Sequence, residues 1–272
     1  MFSLFCLAAF GLSAEADLIR DHIRQHYFNA MYTAHDADAM RAGFHPEFRM
    51  IVWWDGAMSV SPRDAWIDKV MAHPAPDAEK AASYKFEIPV VWVAGDAAAV
   101  RIEIARAGLP RYSDFFMLCK VNGHWQVLAK TFHYHKDDAA KARSLEADRR
   151  AIGDLIEACY LSGFASGFSA ENLRQAFHDA FRMVTWREKA LTVRDRETWI
   201  ERLLGNGPAA LEHRAKWSWR IPAIEVAGEA AMARIELSHD GQVKFIDFLL
   251  LYRVKEGWKV VEKAFDHKSK PG

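Results

Sequence analysis

The carboxylate of Asp114 and the ammonium group of Lys130 are the pair in this sequence best suited to acid–base chemistry. They lie on two strand-forming segments, 112–121 and 125–135, joined by Asn122-Gly123, a dipeptide typical of a two-residue hairpin turn. In an apolar pocket, desolvation raises the pKa of an aspartate, whereas a nearby lysine lowers it, and either shift would suit proton transfer. The alternative is a buried ion pair that only stabilises the hairpin.

The phase of the second segment decides whether these two groups meet. Its large side chains alternate with period two from Trp125 to Val127, but Lys130 and Phe132 are one residue out of phase with them. A β-bulge near Leu128-Ala129 would return them to the same face of the sheet. We therefore predict such a bulge, with Lys130 next to Asp114 across the hairpin.

Histidine side chains offer a second kind of chemistry, because imidazoles transfer protons near neutral pH and bind metal ions. On a strand, His133 and His135 would share one face, and on a helix His22 and His26 would share another. Their spacing selects no metal, and the sequence contains no zinc motif and no glycine-rich phosphate loop. If the domain is an enzyme, we expect His133 to assist proton transfer; the alternative is that these histidines lie at the surface or at the rim of a pocket. We expect neither a metal site nor a cofactor.

The candidate residues recur in the second half of the chain, because the sequence repeats without a gap at a shift of 133 residues. The recurring pairs include titratable and core residues: Asp114 and Asp247, Lys130 and Lys263, Tyr27 and Tyr160, Trp125 and Trp258. A period of this length is that of a whole domain and not of a solenoid unit. The chain is therefore predicted to contain two copies of one small domain.

The repeat divides the chain into four predicted segments: an apolar segment at 1–16, a first domain at 17–136, a charged helical connector at 137–150 and a second domain at 151–268. Within the first of these, Ala14-Glu15-Ala16 fits the small-x-small pattern of a signal-peptide cleavage site. This pattern favours export to the periplasm or the exterior. The alternative is an apolar extension that packs on the first domain.

Composition favours a globular protein that binds no polyanion. Hydrophobic residues make up 51% of the chain and aromatic residues 12%, enough for each copy to bury its own core. The 36 basic residues balance the 36 acidic ones, so no overall positive field attracts nucleic acid or an anionic membrane. No segment has the length and hydropathy of a membrane span, and the three cysteines are too few for a disulfide framework.

Secondary-structure signals place helices first and strands last in each copy. In the first copy, apolar periodicity predicts helices at 17–34 and 36–42, and Ser61-Pro62 supplies the cap and the first-turn proline of a third helix. Strands are predicted at 48–54, 57–60, 84–93, 97–107, 112–121 and 125–135. This order predicts the α+β class, with helices on one face of a curved antiparallel sheet.

Motifs at both ends of the strand region in the first copy resemble a known superfamily. Phe44-His45-Pro46-Glu47 leads into the first strand, and the last hairpin combines the motifs Asp114-Phe115-Phe116-Met117-Leu118, Asn122-Gly123-His124-Trp125 and Lys130-Thr131-Phe132-His133. With the order of elements, they resemble the nuclear transport factor 2-like superfamily. The most similar branch is the one labelled putative lumazine-binding, which neighbours polyketide cyclases and ketosteroid isomerases. The resemblance implies two cone-shaped domains, each with a bent sheet around helices and an apolar pocket, paired through their sheets within the chain.

The resemblance also implies a site. The related isomerases use a helix tyrosine to stabilise an oxyanion, and Tyr27 and Tyr160 resemble it in position, although both could be ordinary core residues. The carboxylate base that those isomerases carry near the first strand is not evident here. The catalytic candidates are Asp114, Lys130, Tyr27 and His133. The ligand-binding candidates are Trp53, Phe116, Phe132, Asp247, Lys263 and Tyr160.

Two functions remain open from the sequence. The first is binding of a small apolar ligand, or assembly, without catalysis. The second is a cofactor-independent isomerase, dehydratase or cyclase that acts on a small apolar carbonyl compound. A cavity of about 300 Å³ or more with Asp114 on its wall would favour the enzyme. Because His133 and His26 are replaced by Asp266 and Cys159, we expect any ligand to bind the first copy.

Overall fold

The computed structural model describes residues 14–135, 144–187, 190–205 and 215–268. Most of the predicted signal peptide and the first half of the predicted connector lie outside the described residues. Residues 14–16 and 145–150, which are described, are helical.

The first domain begins with a helix, α1, that covers 14–33 and is π-helical over Arg24–Thr33. Its other helices are α2 (Ala37–Gly43), α3 (Arg63–Met71) and α4 (Ala78–Ala82). Its strands are β1 (Phe44–Trp54), β2 (Ala57–Pro62), β3 (Tyr84–Ala94), β4 (Ala97–Arg106), β5 (Leu109–Val121) and β6 (His124–Tyr134).

The second domain repeats this order. Its first helix, α5, begins at Leu145, is π-helical over Glu157–Leu161 and ends at Ser166. The remaining described helices are α6 (Ala170–Ala176) and α7 (Arg196–Gly205). Its strands are β7 (Phe177–Arg187), β8 (Ala190–Asp195), β9 (Trp217–Ala227), β10 (Ala230–His239), β11 (Gln242–Val254) and β12 (Gly257–His267).

Each domain has its own six-stranded sheet, with the orders β2-β1-β6-β5-β4-β3 and β8-β7-β12-β11-β10-β9. The predicted α+β class and the tandem architecture are therefore confirmed. Each sheet is mixed and not wholly antiparallel, because β1 runs parallel to β6 and β7 runs parallel to β12.

The predicted bulge is present in both domains. In the first, Met117 pairs with Ala129 and Leu118 pairs with Val127, so Leu128 is the extra residue of β6. In the second, the same shift occurs between Leu250 and Leu251. The bulge therefore places Lys130 and Phe132 on the same face of β6 as Trp125 and Val127.

A charged residue anchors the start of the first helix in each domain. Glu15 accepts hydrogen bonds from Lys120 Nζ at 2.6 Å and from Trp125 Nε1 at 2.8 Å. At the equivalent place in the second domain, Asp148 pairs with Arg253 at 2.6 Å. These contacts tie the start of the first helix to the last hairpin of its own sheet in both domains.

The two sheets pack face to face through an apolar layer. Its buried residues come from both domains and include Ile51, Phe115, Met117, Met232, Phe248 and Leu250. Because these side chains lie on the sheet faces opposite the helices, each sheet separates a helix-facing core from the shared core. The domains therefore form the intrachain pair that the resemblance implied.

A buried carboxylate lies inside this interface between two arginines. Glu262 is fully buried and accepts hydrogen bonds from Arg49 Nε at 2.7 Å and Arg182 Nε at 3.0 Å. The two arginines occupy equivalent positions of the repeat, but the equivalent of Glu262 in the first domain is Ala129. Each guanidinium also donates to backbone carbonyls of the other domain. One carboxylate therefore neutralises part of the charge of two arginines at the centre of the domain pair.

We predict that Glu262→Gln strongly destabilises the protein, because it leaves two neighbouring guanidinium groups buried without a counter-charge. Breaking a buried ion pair from one side costs about 3–5 kcal/mol. Urea unfolding followed by tryptophan fluorescence measures the change. Glu47→Gln is the matched control, because Glu47 is exposed and lies 3.9 Å from Arg182, and an exposed pair contributes about 1 kcal/mol or less. Equal stability of both variants would contradict the role assigned to Glu262.

Candidate functional site

Three of the predicted residues form a buried cluster on the helix-facing side of the first sheet. Tyr27 Oη donates to Asp114 Oδ2 at 2.7 Å and accepts from Lys130 Nζ at 2.8 Å. Lys130 also forms a direct ion pair with Asp114. Asp114 lies on β5 and Lys130 on β6, facing the same side because of the bulge, and Tyr27 reaches them from the π-helical half of α1. The predicted proximity of Asp114 and Lys130 is thus observed.

The cluster is strongly desolvated. Burial lowers the pKa of the Lys130 ammonium group, and the charge of Asp114 opposes this shift without cancelling it. Burial, followed by the charge of Asp114, raises the pKa of Tyr27 well above its ordinary value. The Lys130 ammonium lies 5.2 Å from the ring centre of Phe116 and 5.6 Å from that of Phe132. Asp114 Oδ1 is buried and has no hydrogen-bond partner among the residues that the structure describes.

The second domain contains the same cluster. Tyr160 Oη donates to Asp247 at 2.9 Å and accepts from Lys263 Nζ at 3.1 Å. Lys263 and Asp247 form a direct ion pair, and both are buried. Burial lowers the pKa of Lys263 and raises that of Tyr160, as in the first domain. The arrangement therefore belongs to the repeat and not to one domain.

Two predicted site residues lie on the other side of the sheet, away from the cluster. His133 packs so closely on the β9–β10 turn that a Cβ atom at Gly228 would collide with its imidazole. Burial there lowers the pKa of His133 to about 4. Trp53 packs on the interface layer, with its ring 6.5 Å from that of His178. Strand alternation directs both side chains to the second domain, so neither lies beside the buried cluster.

The first domain has an aromatic cavity of about 730 Å³ between α1, α3, α4 and the sheet. Six aromatic side chains contribute to its lining, those of Tyr32, Trp54, Trp66, Tyr84, Tyr112 and Phe132. Met50, Val52 and Trp54 reach it from alternate positions of β1. Of the predicted ligand-binding residues, only Phe132 lines the cavity. Period-two alternation from the buried Phe48 would have indicated Trp54 in place of Trp53.

The cavity and the buried cluster are adjacent but separate. Asp114 lies on β5, two residues after the cavity-lining Tyr112, and pairs with Phe132 of β6. Asp114 itself does not line the cavity. Tyr32, which does line it, packs edge-on against Tyr27, with the two ring centres 5.9 Å apart. The floor made by Tyr32, Tyr112 and Phe132 therefore covers the cluster. Phe116, also predicted to bind ligand, is fully buried below this floor.

In the second domain, aromatic side chains meet at the equivalent positions. Phe164 and Phe168 stand where the first domain has Met31 and His35, and their ring centres are 5.0 Å apart. Phe164 continues this contact to Trp217 at 5.1 Å, and Trp217 stacks on Phe245 at 6.1 Å.

Two glycines allow this packing. Gly167 directly follows the last residue of α5 and has a φ of 100°, a left-handed conformation that favours glycine. The chain then turns Phe168 back onto Gly163, where a Cβ atom would collide with the ring. The first domain has Ala34 and Ala30 at these positions.

The other histidine pair makes structural contacts. His22 Nε2 lies 3.0 Å from the carbonyl oxygen of Gly43, and His26 Nδ1 lies 2.8 Å from that of Ala39. Burial lowers the pKa of His22 to about 4. Within the described ranges, no group of three or more His, Cys, Asp or Glu side chains is placed to hold a metal ion. Nor is any helix in those ranges long and apolar enough to cross a membrane.

Solved structures that resemble this chain each match about one domain. An NTF-2 like protein of unknown function from Silicibacter pomeroyi is 22% identical, with 46% of this chain and 100% of that chain covered and a TM-score of 0.40. One from Shewanella baltica is 27% identical, with coverages of 46% and 97% and a TM-score of 0.40. One from Methylobacillus flagellatus is 24% identical, with coverages of 47% and 97% and a TM-score of 0.39. No curated protein matches the chain.

The comparison with family models gives two matches, one to each domain. The matching family is described as "Putative lumazine-binding", and its model aligns with residues 14–133 and 147–266. Both ranges begin next to the anchoring carboxylates Glu15 and Asp148. The chain therefore belongs to this putative lumazine-binding family and carries two tandem copies of its domain.

Proposed function

We propose that the protein binds a small, flat, largely apolar molecule in the first domain, and that the second domain stabilises it as a structural partner. The observation that carries this proposal is the contrast between the two copies. The first has an aromatic cavity of about 730 Å³, within the usual range of about 300–1,000 Å³ for ligand sites. In the second, aromatic rings contact each other at the equivalent positions.

The chemistry of the cavity favours an aromatic ligand. Aromatic walls bury a large apolar area and hold other rings in stacked or edge-on arrangements. The tips of Tyr32, Tyr84 and Tyr112 add hydroxyl groups that can hydrogen-bond a heterocycle. The family description names lumazine, a flat bicyclic heterocycle, which makes lumazine a suitable first probe.

Binding without catalysis is better supported than acid–base catalysis. Asp114, Lys130 and Tyr27 could transfer protons, but the same three groups recur in the second domain, where aromatic rings contact each other at the positions equivalent to the cavity lining. Because the cluster is present in both domains, it is better explained as part of the repeated fold than as part of a site in the first-domain cavity. The unpartnered Oδ1 of Asp114 is the one observation that favours an enzyme. To reach it, a substrate would have to displace the floor made by Tyr32 and Phe132.

The sequence of the second domain indicates which substitutions could close the first-domain cavity. We predict that the triple variant Ala30→Gly, Ala34→Gly, His35→Phe folds but loses lumazine binding, because it gives the first domain the residues with which the second packs a ring inward. Quenching of tryptophan fluorescence, with Trp54 and Trp66 on the cavity wall, measures binding. The two helix glycines cost about 1 kcal/mol each, so circular dichroism must show a folded protein.

The matched control for this graft is Phe168→Ala, which removes a ring from the second domain. Lumazine binding to the first domain should be unchanged in this variant. Retained binding in the folded triple variant, or loss of binding in the control, would show that the first-domain cavity is not the site.

We predict that Asp114→Asn and Asp247→Asn destabilise the protein to a similar degree, by about 3–5 kcal/mol each, because each leaves a buried lysine without its counter-charge. Urea unfolding measures this. If Asp247→Asn is destabilised while Asp114→Asn keeps the stability of the wild type, the two clusters differ in role. Asp114 would then be a functional group kept at the expense of stability, and the structural interpretation would be wrong.

A further inference from the structure

The mouth of the first-domain cavity is positively charged. Its polar lining includes Lys69 of α3, Lys80 of α4, and the two histidines His35 and His73. The described residues that line the cavity include no aspartate and no glutamate. This local excess contrasts with the whole chain, in which 36 basic residues balance 36 acidic ones.

The carboxylates next to these lysines are already engaged elsewhere. Asp68, beside Lys69 in sequence, pairs with Arg41 at 3.0 Å. Asp77 caps α4 and accepts a hydrogen bond from the backbone nitrogen of Lys80 at 2.7 Å. Glu79 is exposed and does not line the cavity. Across the described ranges, neither Lys69 nor Lys80 forms an ion pair with a carboxylate.

The aromatic and the charged residues that line the cavity lie at different depths. Tyr32 and Trp66 are buried and form the inner wall, whereas Lys69 and Lys80 are exposed at the mouth. A bound molecule that placed rings against the inner wall would therefore present its outer end to two ammonium groups. An uncharged outer end would leave both cations without a counter-ion.

We infer that the ligand is an aromatic carboxylate, bound with its ring system inward and its carboxylate between Lys69 and Lys80. This inference rests on the proposed function, since it specifies the ligand class of the same cavity. The cations select among aromatic molecules, and the rings supply most of the affinity. Because each ion pair is exposed, its contribution is modest and is screened by salt.

Two nearly isosteric probes separate the charge from the aromatic body: naphthalene-2-carboxylate and naphthalene-2-carboxamide. At low salt the carboxylate should bind the full-length protein about five- to tenfold more tightly than the amide, as expected for one or two exposed ion pairs. Titration calorimetry, supported by tryptophan fluorescence, measures both dissociation constants. The preference should shrink as salt concentration rises.

Variants locate the charge effect. Lys69→Gln and Lys80→Gln should each weaken carboxylate binding severalfold and leave amide binding unchanged. Lys85→Gln, on the exposed side of β3 and outside the cavity lining, is the control and should change neither. Equal binding of the two probes, or equal effects of all three variants, would overturn the inference while leaving the proposed cavity intact. Failure of both probes to bind would overturn the proposed function together with it.

Discussion

The extra residue in the last strand of each domain determines how the whole molecule is layered. Because Leu128 bulges out of the β6 ladder, Lys130 and Phe132 face the helices, and Ala129 faces the other domain. In the second domain the same shift directs Glu262 into the interface and Lys263 into the helix-facing core. The buried ion cluster, the cavity floor and the charged centre of the domain pair all depend on this one irregularity. The β-bulge is thus a structural feature that both copies share and not a defect of the strand.

The ion clusters impose a second constraint on each core. A lysine and an aspartate buried together remain acceptable only while they neutralise and hydrogen-bond each other. Tyr27 and Tyr160 complete this arrangement, since each donates to the carboxylate and accepts from the ammonium group. The π-helical segments of the first helices carry both tyrosines to that position. Such segments often occur at functional sites, but here they occur in both copies and serve packing.

The two copies share their fold and their buried ion cluster, but they differ at a few positions of the first helix and the turn that follows it. Glycine at 163 and 167, in place of alanine, lets Phe168 lie where the first domain keeps open space. A filled core is the more stable solution, because empty volume forfeits contacts between side chains. The cavity of the first domain therefore lacks contacts of the kind that Phe164, Phe168 and Trp217 make with one another in the second.

The sequence alone determined the features that depend on short-range pattern. The repeat, the α+β order, the bulge and the meeting of Asp114 with Lys130 follow from register and turn residues that lie close together in the chain. Only the tertiary structure decided which face each strand residue uses and what lies opposite it. His133 and Trp53 were assigned to the site but pack on the other domain, because alternation fixes two faces without saying which is buried by what. The cavity, the ring contacts at the equivalent positions of the second domain and the pairing of Arg49 with Glu262 all join residues that are distant in sequence. No local pattern could therefore reveal them.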